Sequence, residues 1–413
     1  MTDADAAAVR ALLTAGAVRD RAQTVLAAGL ADNLDHFRID MDRMGPAADI
    51  VAEVTRAAYP DLAIPFHARW RHIETGGLDR WGAIADGLAT DDPRRYGRAA
   101  FDLAIVSVLL DAGAGADWAF RESASGQTFS RSEGLAVASV DMFRSGLFSG
   151  VPADPFRVDA AALVTLNADD LASGFQIDAG NPMVGLDGRC RLLQTLGATI
   201  AARPDLFALE DDPRPGGLFD ALVARTSEDG RLPAAEILDT VLDGLGSIWP
   251  GGIERAGMPL GDTWPCATIV TDDCTSGLMP FHKLSQWLSY SLIEPLQWTG
   301  IEVTNIDALT GLAEYRNGGL FLDTGVLVLR DDRAADASYA PGDALIVEWR
   351  ALTVALLDAI ADPVRQRLGV AAADCPLARI LEGGTWAAGR KLARERRPGG
   401  EPPLKLDSDG TVF

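Results

Sequence analysis

Long apolar stretches with helical spacing constrain the fold of this chain more than any other feature of its sequence. Arg98–Leu110 is almost wholly apolar, which predicts a helix buried on all sides, and Ala344–Ile360 is the most apolar helical segment of the second half. Met279–Leu296 places Leu and Trp at intervals of three and four residues, which indicates an amphipathic helix. The regular alternation of strands and helices that builds a parallel sheet is missing. The sequence therefore predicts a mainly α fold with a few short strands.

A proline-containing break near residue 150 divides the chain into two predicted lobes. Pro152 and Pro155 interrupt the helical pattern directly after the helix expected over Arg131–Phe148. At 413 residues the chain is long enough for two average domains or one large one. We expect an N-terminal helical lobe over residues 1–150 and a C-terminal helical lobe over residues 151–413, packed as one unit with the site between them.

The charge balance and the cysteines restrict the partners and the compartment. Lys and Arg number 37 against 59 Asp and Glu, a formal net charge of −22, which argues against nucleic acid because phosphate binding needs a basic surface. The longest apolar run, Leu103–Leu110, is too short to cross a bilayer, so no membrane partner is expected. The N-terminus is acidic and has no apolar core, and the four cysteines show no CxxC spacing. We expect a cytoplasmic protein without disulfides, a bound metal or a cofactor.

The segment Thr310–Gly319, T-G-L-A-E-Y-R-N-G-G, is the strongest candidate for a functional site. Two glycines, which are expected to end a helix, follow four functional side chains: Glu314, Tyr315, Arg316 and Asn317. Burying a carboxylate beside a guanidinium is costly unless both are partnered, and perturbed carboxylates cluster at functional sites. We interpret Glu314 as facing a ligand, with Arg316 orienting it or binding an anion. The alternative is a capped helix end with a structural ion pair.

A polar stripe is predicted on the helix that follows Pro280. Steps of three and four residues place Lys283, Gln286 and Tyr290 on one face, with His282 beside them. An ammonium, an amide and a phenol suit a phosphate or a sugar. The same stripe is equally consistent with a solvated face opposite the leucines.

Two further segments carry candidate residues. Asp111 follows the buried helix and has no cation nearby in sequence, which makes it a candidate for gripping N–H or O–H groups of a ligand. A turn rich in Gly, Asn and Pro contains Asn181 and leads into a helix that bears Arg189. This turn either points its amides at a ligand or simply begins the helix.

Glu348 and Arg350 are isolated charges within the apolar Ala344–Ile360 segment. Two residues apart on a helix they do not face each other, so each needs a partner elsewhere. Pairing of Glu348 with Arg316, or of Arg350 with Glu314, would close a buried network. We expect this pair to support the site rather than to carry the chemistry.

Together these segments resemble the uracil-catabolism proteins long described as a domain of unknown function, DUF1688. The likeness runs over nearly the whole chain and rests on four motifs. They are D-A-G-A-G from Asp111, R-S-E-G-L from Arg131, N-P-M-V-G-L-D-G-R over Asn181–Arg189, and E-Y-R-N-G-G from Glu314. The resemblance implies a pathway that opens the pyrimidine ring at the ribotide level and leaves a urea attached to ribose.

A more distant similarity connects the chain to the queuosine-salvage nucleotide N-glycosylases, which have a helical, two-lobed, DNA-glycosylase-like fold. An aspartate after an apolar helix, M-P-L-V-E-x-R, F-x-K-x-x-Q, A-D-Y-R and E-x-E-I-R follow one another in that family. The same order is found here at Asp111, Asn181–Arg189, Phe281–Gln286, Ala313–Arg316 and Ile346–Arg350. This chain has Glu314 where A-D-Y-R carries Asp, so its carboxylate reaches one methylene further.

These resemblances imply an N-glycosidase that hydrolyses the N-ribosyl bond of a ribosylurea, with or without a 5′-phosphate, and releases urea. In this hypothesis Glu314 stabilises the ribosyl cation and activates water, while Asp111 grips or protonates the leaving urea. Lys283, Arg316 and His282 are expected at the phosphate, and Glu348 and Arg350 behind the site. The full set of expected substrate-binding residues is His282, Lys283, Gln286, Tyr290, Tyr315, Arg316, Asn317, Asn181 and Arg189.

Two other functions are consistent with the same residues. One is an amidohydrolase that acts on an open-chain ureido intermediate and leaves the glycosidic bond intact. The other is a non-catalytic protein that binds a metabolite of the pathway. The reaction products distinguish them, because only the N-glycosidase releases ribose or ribose phosphate.

Overall fold

The computed structural model describes residues 2–208, 212–249 and 253–407. The described residues are mostly helical and their strands are short, so the predicted mainly α fold is confirmed. No helix in these ranges combines the length and the apolarity that crossing a bilayer requires.

Seven α-helices lie within the described residues 2–150. They are α1 (Asp3–Ala11), α2 (Ala15–Leu30), α3 (Met44–Ala58), α4 (Arg69–Ile73), α5 (Arg80–Leu88), α6 (Pro93–Leu109) and α7 (Arg131–Arg144). The middle of the chain is built from shorter helices. They are α8 (Ala160–Thr165), α9 (Ala168–Gly174), α10 (Leu186–Ala202), α11 (Pro204–Phe207), α12 (Gly217–Val223) and α13 (Ala234–Leu245).

The C-terminal part contains the helices that carry most of the predicted site. They are α14 (Lys283–Trp298), α15 (Tyr315–Thr324), α16 (Ala344–Leu368), α17 (Leu377–Ile380) and α18 (Trp386–Arg396). A π-helical segment, Leu381–Thr385, joins α17 to α18. Such segments are rare and occur often at functional sites.

The strands of the described residues form two-stranded pairs. The antiparallel pairs are β1 (Phe37–Ile39) with β10 (Leu327–Leu329), β2 (Phe120–Arg121) with β3 (Thr128–Phe129), β5 (Glu254–Arg255) with β6 (Met258–Pro259), and β7 (Thr263–Pro265) with β8 (Leu278–Pro280). The parallel pairs are β4 (Arg231–Pro233) with β9 (Glu302–Thr304) and β11 (Ser338–Tyr339) with β12 (Lys405–Leu406). Each pair is too short to form a core of its own.

The helices α6 and α16 lie at the centre of the fold, as their apolar sequences predict. Every residue from Ala99 to Leu110 is buried, and α6 packs against α7, α12 and α14. The longer α16 packs against α2, α3 and α15. These two helices therefore fix the positions of α14 and α15, which begin at Lys283 and directly after Glu314.

The predicted lobe boundary falls between α7 and α8. One hydrophobic cluster contains Val18 and Phe143 from before the boundary and Leu163 and Leu404 from after it. The two parts therefore share a core, and the division into lobes stays a prediction. Residues 408–413 of the expected C-terminal lobe lie outside the described ranges.

The glycines Gly318 and Gly319 do not end a helix, so that prediction is wrong. The helix α15 begins at Tyr315, with Glu314 as its N-cap residue, and continues through both glycines. A Cβ atom on Gly318 would lie 2.7 Å from Trp349 of α16. Gly318 is needed because α15 and α16 approach closely at this residue. Since α15 begins after Glu314, this carboxylate stands at the start of a helix, where the positive end of the helix dipole favours it.

Candidate functional site

Two carboxylates from distant parts of the chain lie near one buried ammonium. Asp111 follows the C-terminal end of α6, Glu314 precedes α15 and Lys283 is the first residue of α14. Burial lowers the pKa of the Lys283 ammonium, and the negative charges of Glu314 and, more weakly, Asp111 oppose that lowering. The structure thus brings both predicted carboxylates into electrostatic range of Lys283.

Several polar atoms in this region are buried and have no hydrogen-bond partner among the described residues. They are Glu314 Oε2, Asp111 Oδ1, Asn317 Oδ1 and Arg69 Nη2. Native proteins pair nearly all of their buried polar groups. Buried oxygens and a guanidinium nitrogen without partners therefore make this region the candidate for binding the polar groups of a ligand.

Arg69, which no sequence pattern indicated, holds Asp111 in place. Its side chain is fully buried, and Nη1 lies 3.0 Å from Asp111 Oδ2. Nε donates to Ser107 Oγ at 2.8 Å, and Nη1 donates to the carbonyl oxygen of Ser132 at 3.2 Å. Burial lowers the pKa of Arg69, while the charge of Asp111 opposes this. Asp111 is therefore paired with a cation that is distant in sequence, and its Oδ1 atom remains available to a ligand.

Two histidines that the sequence analysis also missed face Trp287 of α14. The ring centroids of His67 and His72 lie 6.5 Å and 6.0 Å from that of Trp287. His67 Nδ1 lies 2.8 Å from Glu382 Oε2 in the π-helical segment. Burial alone lowers the pKa of His67, but the hydrogen bond and the charge of Glu382, aided by Glu314, raise it overall.

His72 has the opposite environment. Its Nδ1 lies 3.2 Å from Arg69 Nη1, and a guanidinium can only donate, so Nδ1 is the acceptor. Burial and then the positive charge of Arg69 lower the pKa of His72 to about 4. The sequence signal for both histidines was the segment P-F-H-A-R-W-R-H-I after Ile64, which places four basic side chains among aromatic residues.

Gln286 and Tyr290 hold the segment that leads to Glu314. Gln286 Oε1 accepts the backbone N–H of Thr310 at 2.8 Å, and its Nε2 donates to Thr310 Oγ1 at 2.6 Å. Tyr290 Oη donates to the carbonyl oxygen of Thr310 at 2.9 Å. Their polar groups are engaged with Thr310, four residues before Glu314, so they hold the segment that leads to this carboxylate. The ribose contact expected of them stays a prediction.

Arg350 is paired with Asp262, a different carboxylate from the one expected. Its Nη1 and Nη2 lie 2.9 Å and 2.8 Å from Asp262 Oδ1 and Oδ2. Asp262 Oδ2 also accepts the backbone N–H of Lys283 at 3.0 Å. Burial raises the pKa of Asp262, but the charge and hydrogen bonds of Arg350 outweigh it and lower the pKa to about 2. This pair anchors the first residue of α14, and so it supports the site through Lys283.

The expected pairing of Glu348 with Arg316 is wrong. Glu348 Oε1 accepts the backbone N–H groups of His36 and Phe37 at 3.1 Å and 3.0 Å. Arg316 Nη1 donates to the carbonyl oxygen of Gly400 at 2.8 Å. Glu348 on α16 and Arg316 on α15 therefore do not pair. Each side chain instead binds the backbone of a different segment.

The other residues of the Glu314 motif remain close to it. The guanidinium carbon of Arg316 lies 4.9 Å from the ring centroid of Tyr315. Asn317 is fully buried and donates from Nδ2 to the carbonyl oxygen of Leu312 at 3.1 Å, while its Oδ1 has no partner in the described part of the chain. Asn317, like Glu314, therefore has a buried acceptor that remains available for a ligand.

Asn181 and Arg189 hold backbone on either side of Asp111. Arg189 donates to the carbonyl oxygens of the two neighbours of Asp111 at 3.1 Å and 2.6 Å. Asn181 exchanges two hydrogen bonds of 2.9 Å with the backbone of Ala119. Burial lowers the pKa of Arg189 to about 10. These contacts hold the backbone around Asp111 and the loop that follows it. The substrate contact expected of both residues stays a prediction.

His282 contributes to a different cavity. Its Nε2 lies 3.0 Å from the carbonyl oxygen of Leu12, and burial lowers its pKa. With Leu13, Trp249 and Met258 it lines an open cavity of about 390 Å³ whose lining residues do not include the two carboxylates or Lys283. We place the candidate site at Asp111 and Glu314 because each has a buried oxygen without a partner among the described residues, whereas the wall of this cavity is mainly apolar.

The arrangement suits a small polar molecule. Unpaired carboxylate and amide oxygens can accept N–H and O–H groups, and Lys283 and Arg69 supply positive charge. A carboxylate without a partner also stabilises positive charge that develops on a reacting atom. Within the described ranges no group of three or more His, Cys, Asp or Glu side chains is placed to hold a metal ion.

Comparison with known proteins gives three matches that cover most of the chain. A family described as "Protein of unknown function (DUF1688)" matches residues 11–413. Uracil catabolism protein 4 of Lachancea kluyveri is 38% identical over 411 residues, covering 92% of each chain. Protein urg3 of Schizosaccharomyces pombe (strain 972 / ATCC 24843) is 37% identical over 412 residues, covering 98% of this chain and 99% of that one.

Proposed function

Because this chain belongs to the DUF1688 family, as its motifs predicted, we propose that it acts in uracil catabolism, the process named in its Lachancea kluyveri relative. We further propose that it is an N-glycosidase that hydrolyses the N-ribosyl bond of a ribosylurea. The products are urea and ribose, or ribose 5-phosphate if the substrate is phosphorylated.

One observation carries this proposal. Glu314 Oε2 and Asp111 Oδ1 are both buried, both lack a hydrogen-bond partner among the described residues, and both carboxylates act on Lys283. Hydrolysis of a glycosidic bond passes through a transition state with positive charge on the sugar, and two carboxylates commonly serve it. A urea leaving group presents planar N–H donors, which match a carboxylate acceptor.

The three charged groups have separate roles in the proposed reaction. Glu314 stabilises the positive charge at C1′ and accepts a proton from the attacking water. Asp111, oriented by Arg69 at 3.0 Å, accepts N–H groups of the urea through Oδ1. Lys283 supplies the positive charge for a phosphate or a sugar oxygen. Since Asp111 is paired with a guanidinium, it is an acceptor in this arrangement, and the proton for the departing nitrogen comes from another residue.

The test is hydrolysis of synthetic ribosylurea, with and without a 5′-phosphate, by the purified protein. We expect Glu314→Gln to reduce kcat about 100- to 1000-fold, because it removes a charge that is oriented before the reaction begins. Glu302→Gln is the matched control, since Glu302 is an exposed carboxylate on β9 that pairs with Arg231. Parent-like release of urea by Glu314→Gln would contradict the assignment.

The products also separate this proposal from its two alternatives. Ribose or ribose phosphate together with intact urea supports the N-glycosidase. Ammonia or a carbamate, with the ribosyl bond retained, would instead identify an amidohydrolase. Tight binding without any product would identify a metabolite-binding protein.

A further inference from the structure

The proposed reaction requires a proton donor for the departing nitrogen, and the two buried histidines differ in their ability to provide one. His67 and His72 both face Trp287, at ring-centroid distances of 6.5 Å and 6.0 Å. They lie in the same segment and carry the same side chain. Their partners, however, are a carboxylate in one case and a guanidinium in the other.

His67 is held by a carboxylate on its Nδ1 edge. Glu382 Oε2 lies 2.8 Å from Nδ1, and Glu382 Oε1 accepts the hydroxyl of Tyr59 at 3.2 Å. The backbone N–H of His67 donates to the carbonyl oxygen of Ala378 at 3.0 Å, which fixes the residue against α17. Because Nδ1 donates to Glu382, the opposite nitrogen, Nε2, is left to exchange a proton with a ligand.

The charges around His67 favour its protonated form. Glu382 from the π-helical segment and Glu314 from the start of α15 are negative, whereas the positive charge of Arg71 from α4 acts in the opposite direction. The carboxylates prevail over burial and Arg71, and the pKa of His67 is raised. His72 accepts from Arg69 and remains neutral, so it can donate a hydrogen bond but cannot release a proton at neutral pH.

We propose that His67 is the general acid of this site and that Glu382 is the residue that positions and charges it. This inference rests on the proposed N-glycosidase function. As the bond between C1′ and nitrogen breaks, its electron pair stays on nitrogen, which takes the proton from His67 Nε2. Water adds its oxygen to C1′ and gives one proton to Glu314. Transfer of that proton through solvent back to His67 restores both groups, so the sum is ribosylurea plus water to ribose plus urea.

A comparison of leaving groups tests the proposal. The two substrates share the same ribosyl group, and one carries urea while the other carries 4-nitrophenolate, which departs as a stable anion without a proton. We expect His67→Gln to lose about 100- to 10,000-fold in kcat on the urea substrate, the usual contribution of general acid catalysis, but less than about 10-fold on the nitrophenyl substrate. Glu314→Gln should lose activity on both.

A second variant protects the test against misfolding. His67→Asn keeps an N–H donor close to the position of Nδ1, and so it can retain the bond to Glu382 while losing the proton of Nε2. His36→Gln is the control, because the hydrogen bonds of His36 use its backbone, whose N–H donates to Glu348 and whose carbonyl oxygen accepts from the N–H of Arg330. Both variants should melt within a few degrees of the parent.

Glu382→Gln gives a readout that a structural role would not change. Loss of the carboxylate should shift the alkaline limb of the kcat profile to lower pH, and nuclear magnetic resonance should show a lower pKa for the His67 imidazole. Equal losses on both substrates, or an unchanged alkaline limb, would overturn the role of His67 while leaving the glycosidase intact. If the parent protein cleaves neither substrate, the glycosidase fails and the general acid fails with it.

Discussion

The buried ion pair between Asp262 and Arg350 should stabilise the fold by an amount that depends on pH. The pH dependence of the unfolding free energy therefore tests this one contact. Both side chains are almost fully buried, and their two hydrogen bonds measure 2.9 Å and 2.8 Å. Asp262→Asn keeps the shape and an acceptor for the N–H of Lys283 but leaves the guanidinium without its countercharge. Breaking a buried pair in this way typically costs about 3–5 kcal/mol.

Part of this cost depends on pH, and its size follows from the pKa of Asp262. A pKa lowered from 3.8 to about 2 corresponds to about 2 kcal/mol of stability, at ~1.4 kcal/mol per pKa unit. Because the folded-state pKa is the lower one, this stability is fully present above pH 4 and is lost as the pH falls toward 2. By pH 3 about half of it should be gone, since the parent carboxylate is then partly protonated in the unfolded chain.

The assay is equilibrium unfolding in urea at pH 7, 4 and 3, comparing the parent protein with Asp262→Asn. The difference in unfolding free energy should shrink by ~1 kcal/mol between pH 7 and pH 3. Asp20→Asn, at an exposed position of α2, is the matched control and should stay within about 0.5 kcal/mol of the parent throughout. A difference between parent and Asp262→Asn that is the same at all three pH values would refute the reasoning.

Two further predictions concern packing and protonation. Gly318→Ala should destabilise the protein by about 1–3 kcal/mol because the new methyl group meets Trp349 at 2.7 Å. Gly188→Ala, with open space at its Cβ position in α10, should be neutral or stabilising. Thermal melts measure both variants, and equal melting temperatures would contradict the close approach of α15 and α16. The His72 imidazole should stay neutral from pH 7 down to about pH 5, because burial and Arg69 lower its pKa to about 4. A nitrogen chemical-shift titration measures this pKa, and a midpoint near 6.5 would contradict the prediction.

The sequence predicts the helical body well because its signal is local. The apolar run Arg98–Leu110 located the buried part of α6, which begins five residues earlier at Pro93, and helical spacing located the starts of α14 and α16 to within a few residues. The same pattern does not predict the role of Gly318, because a glycine that ends a helix and a glycine that lets two helices touch look alike in sequence. Only the position of Trp349, contributed by α16, distinguishes them.

The candidate site is predicted in part, and its omissions have a common cause. Glu314, Asp111 and Lys283 stand out because a charge next to apolar sequence is visible without knowledge of its neighbours. The partners are not visible, because Asp262 lies 88 residues from Arg350 and Glu382 lies 315 residues from His67. Pairings such as Glu348 with Arg316 were therefore wrong although each residue is buried or half-buried as expected.

The ion pair between Arg69 and Asp111 lies wholly in the first 150 residues, whereas Lys283 and Glu314 lie wholly in the rest. Neither portion alone holds the complete set of charges, so the proposed catalytic site requires both portions of the chain. Two polypeptides made by cutting the chain at residue 150 should each be inert when separate. Mixing them should restore urea release, with a dependence on fragment concentration that reports how strongly the halves complement each other.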